Sequence, residues 1–251
     1  MVGNGRRMNR LVAFLVVVCS AVSGCRAWDC SAADKQTLLD FKNGFVDTNG
    51  VFNTWSDSTV NCCAWKGITC RESDGAILEI NIVGSSGTNQ QPYRSPSYQG
   101  TVGAGLVALT QLQKLKIEWV LFNGPIPQQW GDFSTTLVLI TINNANLRND
   151  IPSTLVNIQN LRHLDLKNNH LTGSIPSTFC THKKINYIDV SYNDMTYLLV
   201  PPCLVNQNNL TVIFDHQGNS TSPGYPAAGS TLTVSSLLLA IGALTTALLF
   251  L

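Results

Sequence analysis

The stretch Ile158-Gln-Asn-Leu161-Arg-His-Leu164-Asp-Leu166-Lys-Asn-Asn169-His-Leu171-Thr-Gly173-Ser-Ile175-Pro176 spaces its residues as LxxLxxLxLxxNxLxGxIP. Moving 24 residues forward places Ile185, Ile188, Val190, Asn193 and Met195 in the same slots. Moving 24 back gives Leu137, Ile140, Ile142, Leu147, Ile151 and Pro152. One further step back, with one extra residue, gives Leu112, Leu115, Ile117, Phe122, Gly124, Ile126 and Pro127. Four units in register make an internal repeat of the length that forms one coil of a solenoid. Each coil contributes a short strand whose apolar residues point inward and stack on the next coil, burying a core that no coil buries alone. An inward amide in the Asn slot satisfies backbone groups at the turn out of the strand. Asn169 and Asn193 fill that slot, whereas Val120 and Ala145 do not, so water or another partner is expected at those two turns.

Outside these four units the pattern loosens. Ile77, Ile80 and Ile82 fit the strand of a first coil, and Gln99-Gly100-Thr101-Val102 resembles its ending. Between them runs Ser85 to Tyr98, about eleven residues longer than in the other units and rich in Ser, Gly, Gln and Pro. A loop of this length is either functional or disordered. Leu210 and Ile213 offer the start of an incomplete sixth coil.

An open solenoid exposes its core at both ends and needs caps. Ser31 followed by Asp34 has the spacing of a capping box, and Leu38, Phe41 and Phe45 then fall on one helical face. After Trp55 comes Cys62-Cys63-Ala-Trp65-Lys-Gly67-Ile-Thr-Cys70. At the far end Cys180 and Cys203 lie 23 residues apart, close to one coil, so they sit on neighbouring turns and can bridge. Eight cysteines occur in all; Cys19 and Cys25 fall in the N-terminal leader, leaving six, an even number that reads as disulfides in an exported chain. The rival, a zinc site, lacks any paired CxxC or HxxxH spacing.

The repeat resembles the leucine-rich repeat, and its GxIP ending resembles the plant-specific class. The string WxxxxxxCCxWxGxxC after a DxxxLLxFK-like helix is similar to the N-terminal cap of plant leucine-rich repeat receptors and polygalacturonase inhibitors. Together these likenesses span about residues 30–206. They imply an α/β solenoid, a right-handed leucine-rich repeat superhelix of about five coils with disulfide-bonded N- and C-terminal caps. They also imply pairing of Cys30 with Cys62 and of Cys63 with Cys70, although the sequence by itself allows other connectivities. The expected organisation is a signal peptide 1–27, a cap 28–76, and repeats over 77–206 divided as 77–108, 109–133, 134–157, 158–181 and 182–206. A cap remnant and Ser/Gly/Pro-rich linker then cover 207–233, and a hydrophobic tail, read as a GPI signal or a membrane helix, covers 234–251.

Both ends read as addresses. Arg6, Arg7 and Arg10 precede the apolar run Leu11 to Val18, with Ala21, Gly24 and Ala27 as candidate last residues of a signal peptide. Ala27 is preferred because it leaves Cys30 near the new terminus; the rival is an uncleaved signal anchor. From Val234 to Leu251 no residue is charged. The stretch is shorter than the ~20 residues of a spanning helix and has no basic residue after it. Small residues, a polar spacer and a terminal apolar run instead fit a GPI signal, with attachment at Asn219-Ser-Thr221 or Ala227-Ala-Gly229. Its flush end argues against a fragment of a longer receptor. Of 16 basic and 15 acidic residues, the leader takes Arg6, Arg7, Arg10 and Arg26, leaving 12 against 15 and a formal charge of −3. That excludes a basic nucleic-acid footprint. Asn209-Leu-Thr211 and Asn219-Ser-Thr221 are glycosylation sequons.

Binding, not catalysis, is the expected activity, with no metal and no cofactor. His163, His170, His182 and His216 lie in separate coils or the tail, without HExxH, GxSxG or a kinase signature. Outward strand residues alternate with the buried ones and form a ladder. Its central row reads Asn81, Lys116, Thr141, Asp165, Asp189; one flank reads Glu79, Lys114, Leu139, His163, Tyr187; the other reads Val83, Glu118, Asn143, Lys167, Ser191, with Trp119 and Tyr192 just beyond. Exposed Trp and Tyr are favoured interface anchors, and Trp119 is the leading candidate. Lys114, Lys116, Glu118, Trp119, Thr141, Asn143, His163, Asp165, Lys167, Tyr187, Asp189 and Tyr192 make the expected concave binding face; an ordinary solvated sheet face is the rival. Two functions follow from the resemblance. One is a surface module that recognises a protein, peptide or glycan, including a receptor kinase ectodomain, and signals only through that partner. The other is a secreted or wall-associated enzyme inhibitor, for which the coils are few.

Overall fold

Ser31 caps the first helix. In the computed structural model its Oγ accepts a hydrogen bond from Asp34 N at 3.0 Å, capping the helix Ala32–Asn43. The structure describes residues 29–46, 50–58, 61–84, 97–98, 103–195, 200–205, 207, 209–215 and 217. The leader 1–27, most of the long loop, Asn219 and the tail 234–251 lie outside these residues. Leu38 and Phe41 bury one helix face, as the spacing predicted. Phe45 does not belong to that face, because the helix stops at Asn43 and Phe45 opens the short strand β1 (Phe45–Val46). It still packs on Phe41, with ring centroids 5.0 Å apart, and reaches Phe122 of the second coil at 5.6 Å.

The cap core is aromatic. Trp55 and Trp65 stack with centroids 5.4 Å apart, Phe52 packs edge-on against Trp55, and Trp55 Nε1 donates to Lys66 O at 2.9 Å. Gly67 sits at φ +85°, and a Cβ there would lie 2.3 Å from Asn81 O, so the glycine of the CCxWxG string is required for the cap to dock. Disulfides join Cys30 to Cys62, Cys63 to Cys70 and Cys180 to Cys203.

The strands stack into one seven-stranded sheet. Its order is β11 (Thr211–Ile213), β10 (Tyr187–Asp189), β8 (His163–Asp165), β6 (Leu139–Asn143), β5 (Lys114–Glu118), β3 (Ile77–Val83) and β2 (Ile68–Cys70). All pairings are parallel except β2 with β3, so the cap closes the first coil with an antiparallel strand. Five coils and the start of a sixth were expected; β11 is that sixth strand, and the sheet gains β2 of the cap at the other end. In β11 it is Val212 that aligns with Ile188 and is buried, rather than Ile213, because the step between these coils is again 24. A second, two-stranded parallel sheet pairs β7 (Arg148–Asp150) with β9 (His170–Thr172) on the flank. The far end of the long loop returns to the cap, where β4 (Ser97–Tyr98) pairs antiparallel with β1.

The IP ending has a local cause. Ile126, Ile151 and Ile175 are buried, and Pro127, Pro152 and Pro176 each start a 3-10 turn with φ near −60°. Proline is preset for that φ and has no N–H to leave unpaired. Inward leucines and isoleucines of successive coils then merge into one continuous core running from Cys30 to Val212.

The Asn slot works between coils. Asn169 Oδ1 accepts from Ala145 N and Leu147 N, both at 3.1 Å, while its Nδ2 donates to Ile142 O, Leu166 O and Lys167 O. Asn193 repeats this one coil on, accepting from Leu171 N and donating to Leu166 O, Val190 O and Ser191 O. The turn at Ala145 therefore needs no water, since the next coil supplies the amide. At the preceding turn, where no amide is available, Phe122 N donates to the Ala145 carbonyl itself at 2.7 Å. Gln217 fills the slot of the last coil, accepting from Met195 N and donating to Val190 O, Phe214 O and Asp215 O.

Candidate binding face

Strand pairing places the expected rows side by side. Asn81, Lys116, Thr141, Asp165 and Asp189 are consecutive partners, as are Glu79, Lys114, Leu139, His163 and Tyr187. Val83, Glu118 and Asn143 continue the third row, which Lys167 and Ser191 extend through the backbone bonds Asn144 N to Lys167 O and Asn168 N to Ser191 O. The ladder is therefore one contiguous surface whose residues come from separate coils.

Its charges are partly spent inside the face. Lys116 lies 2.9 Å and Lys114 3.4 Å from the Glu79 carboxylate of the first coil. Burial alone pushes the Glu79 carboxyl up, but the hydrogen bonds and charges of Lys116 and then Lys114 outweigh it and hold the group below its ordinary value. The second coil thus presents less free positive charge than its sequence shows. At the other end Asn143 Nδ2 donates to Asp165 Oδ2 at 2.9 Å, and Lys167 N donates to Asp165 Oδ1. Asp189 is buried, not exposed: it accepts from Ser191 N, Ser191 Oγ and the Tyr187 hydroxyl. Thr141 and Ser191 are buried as well. These three residues therefore offer little surface of their own to a partner.

His163 and Tyr187 stack as parallel rings, centroids 4.2 Å apart and 4° between planes. Burial lowers the His163 imidazole below its ordinary value, against the opposite pull of Asp165 and Asp189. Burial, the Asp189 and Asp165 charges and the bond to Asp189 push the Tyr187 phenol up to about 12. Both rings are therefore neutral near pH 7, which suits a contact surface. Among the described residues no group of three His, Cys, Asp or Glu is placed to hold a metal. No helix of the described residues is long and apolar enough to cross a membrane.

Just beyond four successive strands the chain enters a left-handed residue. Trp119 (φ 57°), Asn144 (55°), Asn168 (55°) and Tyr192 (55°) occupy this one slot in four successive coils. The sequence pattern marked the two aromatics as lying beyond the ladder but missed the backbone they share. The signal was present in the two asparagines, the residue type that tolerates this conformation best after glycine. Trp119 and Tyr192 remain 37 % and 44 % exposed, and Lys167 Nζ lies 5.7 Å from the centre of the Tyr192 ring.

Two family descriptions match the chain: a leucine rich repeat N-terminal domain over residues 31–71 and a leucine rich repeat over 160–182. The fold is a leucine-rich repeat solenoid. The solenoid is 34% identical over 116 residues to the DNA damage-repair/toleration protein DRT100 of Arabidopsis thaliana, covering 45% of this chain and 31% of that protein. It is 31% identical over 137 residues to polygalacturonase inhibitor 1 of Oryza sativa subsp. japonica, covering 55% of this chain and 38% of that protein. The matches thus span about a third of the length of these two relatives. Among solved structures, a chain of the BIR3–SERK2 complex from Arabidopsis thaliana superposes with a TM-score of 0.62 at 21% identity, over 77% of this chain and 98% of that one. At that identity the likeness establishes the shared architecture.

Asn209 of the first sequon is exposed, at φ 66° just before β11; Asn219 of the second lies outside the described residues.

Proposed function

We propose that this solenoid is an extracellular recognition module, held at the outer cell surface through its C-terminal segment, that binds a partner protein, peptide or glycan through the concave ladder. The observation that carries the reading is the unbroken register of outward residues from Glu79 to Tyr187 and from Asn81 to Asp189 across five coils. Such a surface joins side chains from distant parts of the sequence, with neutral aromatic rings at one end and a Lys–Glu cluster at the other. Three disulfides support passage through an oxidising compartment. The uncharged tail supports a lipid anchor, and Asn209 is accessible for glycosylation.

BIR3 and SERK2 form a complex, and the receptor kinase HAESA is seen with a peptide hormone and the co-receptor SERK1. By that likeness the partner favoured here is the ectodomain of a receptor kinase, which supplies the signalling domain. Surface plasmon resonance of the secreted chain against a SERK2 ectodomain tests this directly. Saturable binding weakened by Lys116→Glu or Asp165→Lys supports it. The absence of binding, or binding indifferent to both changes, removes it. Release from intact cells by phosphatidylinositol-specific phospholipase C tests the anchor; retention in the membrane after treatment refutes it.

The likeness to polygalacturonase inhibitor 1 favours a second reading, that of an enzyme inhibitor. Dose-dependent inhibition of a secreted polygalacturonase by the purified chain would establish that alternative.

A further inference from the structure

We infer that the row Trp119, Asn144, Asn168 and Tyr192 is a binding strip for a linear, uncharged oligosaccharide lying across the coils. The inference rests on the proposed use of this side of the solenoid for recognition and names the ligand class that the margin of the ladder takes.

Backbone conformation gives the first argument. All four residues occupy the same left-handed slot, with φ between 55° and 57°. Asparagine suits that slot, and coils three and four use it. A bulky aromatic residue is a poor choice there on backbone grounds, and burial does not explain the two that occur, since Trp119 and Tyr192 are 37 % and 44 % exposed. Strained residues kept at a surface point to a task outside folding.

Chemistry gives the second. The row itself carries no charge. Its middle consists of two amides, with Asn168 Nδ2 donating to Asn144 Oδ1. That bond uses one donor and one acceptor of the pair and leaves the remaining amide positions for a ligand. Outside it the next row is closed on itself: Asn146 Nδ2 donates to Asn123 Oδ1 at 2.5 Å, and His170 Nδ1 lies 2.9 Å from Asp194 Oδ2. Lys167 is engaged with one aromatic ring of the strip. A sugar presents apolar C–H faces for aromatic rings and hydroxyls for amides, and needs no counter-charge. A charged peptide would find no complementary charge in the row.

Geometry gives the third. Neighbouring strands stand about 4.8 Å apart, close to the advance of one residue in an extended β-linked glycan chain. From Trp119 to Tyr192 is three such steps, roughly 14 Å. An oligomer of four sugars thus spans the strip with one residue per coil, its ends on the aromatic rings and its middle on the amides.

The test is calorimetric titration of the secreted chain with neutral β-linked gluco-, manno- and xylo-oligosaccharides of one to six residues, and with an oligogalacturonide as the charged comparison. Affinity is expected to rise with length up to about four residues, one per strand spacing. Trp119→Ala and Tyr192→Ala are each expected to weaken binding about tenfold or more, while Trp119→Phe and Tyr192→Phe retain most of it. Saturation-transfer NMR on the unmodified protein checks contact between aromatic protons and sugar C–H protons, so the result does not depend on variants that fold poorly. Failure of every neutral oligomer to bind overturns the strip, as does binding that survives the double variant or a preference for the charged oligomer. A peptide or ectodomain captured through Trp119 and Tyr192 without any sugar affinity also overturns it. Partner binding that persists while sugars fail leaves the recognition reading standing; sugar binding without any protein partner separates the two the other way.

Discussion

Asn169→Ala removes five hydrogen bonds at a buried junction between two coils. Ala145 N and Leu147 N lose their acceptor, and Ile142 O, Leu166 O and Lys167 O lose a donor. A buried group left without its partner costs about 1–3 kcal/mol. Counting the two amides in full, and allowing that carbonyls and an entering water recover part of the rest, the loss is about 4 kcal/mol. Against the 5–15 kcal/mol typical of a domain, roughly a quarter or more of the stability goes. Asn169→Asp gives a sharper contrast, since its carboxylate keeps an acceptor for the two amides but turns its other oxygen on three carbonyls. It should be at least as damaging as the alanine. Gln217→Ala, at the partly exposed last coil, should cost only about 1–2 kcal/mol. Urea unfolding followed by far-UV circular dichroism measures all three, and hydrogen exchange at Ala145 and Leu147 localises the effect. A loss below about 1 kcal/mol for Asn169→Ala, or a wild-type midpoint for Asn169→Asp, would refute the assignment of these turns to the amide ladder.

Gly67→Ala meets Asn81 O at 2.3 Å in a left-handed conformation and should cost about 3 kcal/mol or more, or prevent secretion; an unchanged melting temperature would contradict the docking of the cap. Cys180→Ser with Cys203→Ser opens a link of 23 residues and should lower stability by about 3 kcal/mol, read from the urea midpoint. The His163 imidazole titrates lower in the fold than its ordinary 6.5, so below that pH the unfolded chain binds the extra proton first. Its contribution is complete above 6.5 and is lost as pH falls through that value towards the folded one; His163→Phe should flatten this acid arm of the melting profile. The Tyr187 phenol, raised from 10.0 to about 12, works in the opposite sense, its contribution being lost as pH climbs through that interval; Tyr187→Phe should remove this alkaline arm.

The fold was legible where the physics is periodic. Leu164, Ile140, Leu115 and Ile188 fall at strict spacing, and each is buried at the paired position its spacing predicts. What escaped were relations that cross from one coil to the next. The spacing shows that Asn169 lies inward, but not that its amide closes the turn of Ala145 one coil earlier. Gln217 does the same work in the last coil with one more methylene, so a pattern written for asparagine passes over it. The ladder rows were legible from alternation, but the burial of Asp189 was not, since its bonds to Tyr187 and Ser191 cannot be read from spacing. Exposure of Trp119 and Tyr192 followed from their position; the left-handed backbone beneath them became visible only when the four turns were compared.

The direction of the amide ladder bears on how the chain folds as it is made. Asn169, Asn193 and Gln217 each complete the coil before their own, so no coil has a finished turn until its successor has been synthesised. A chain emerging from its N-terminus therefore carries a folded front that trails the newest residues by one coil.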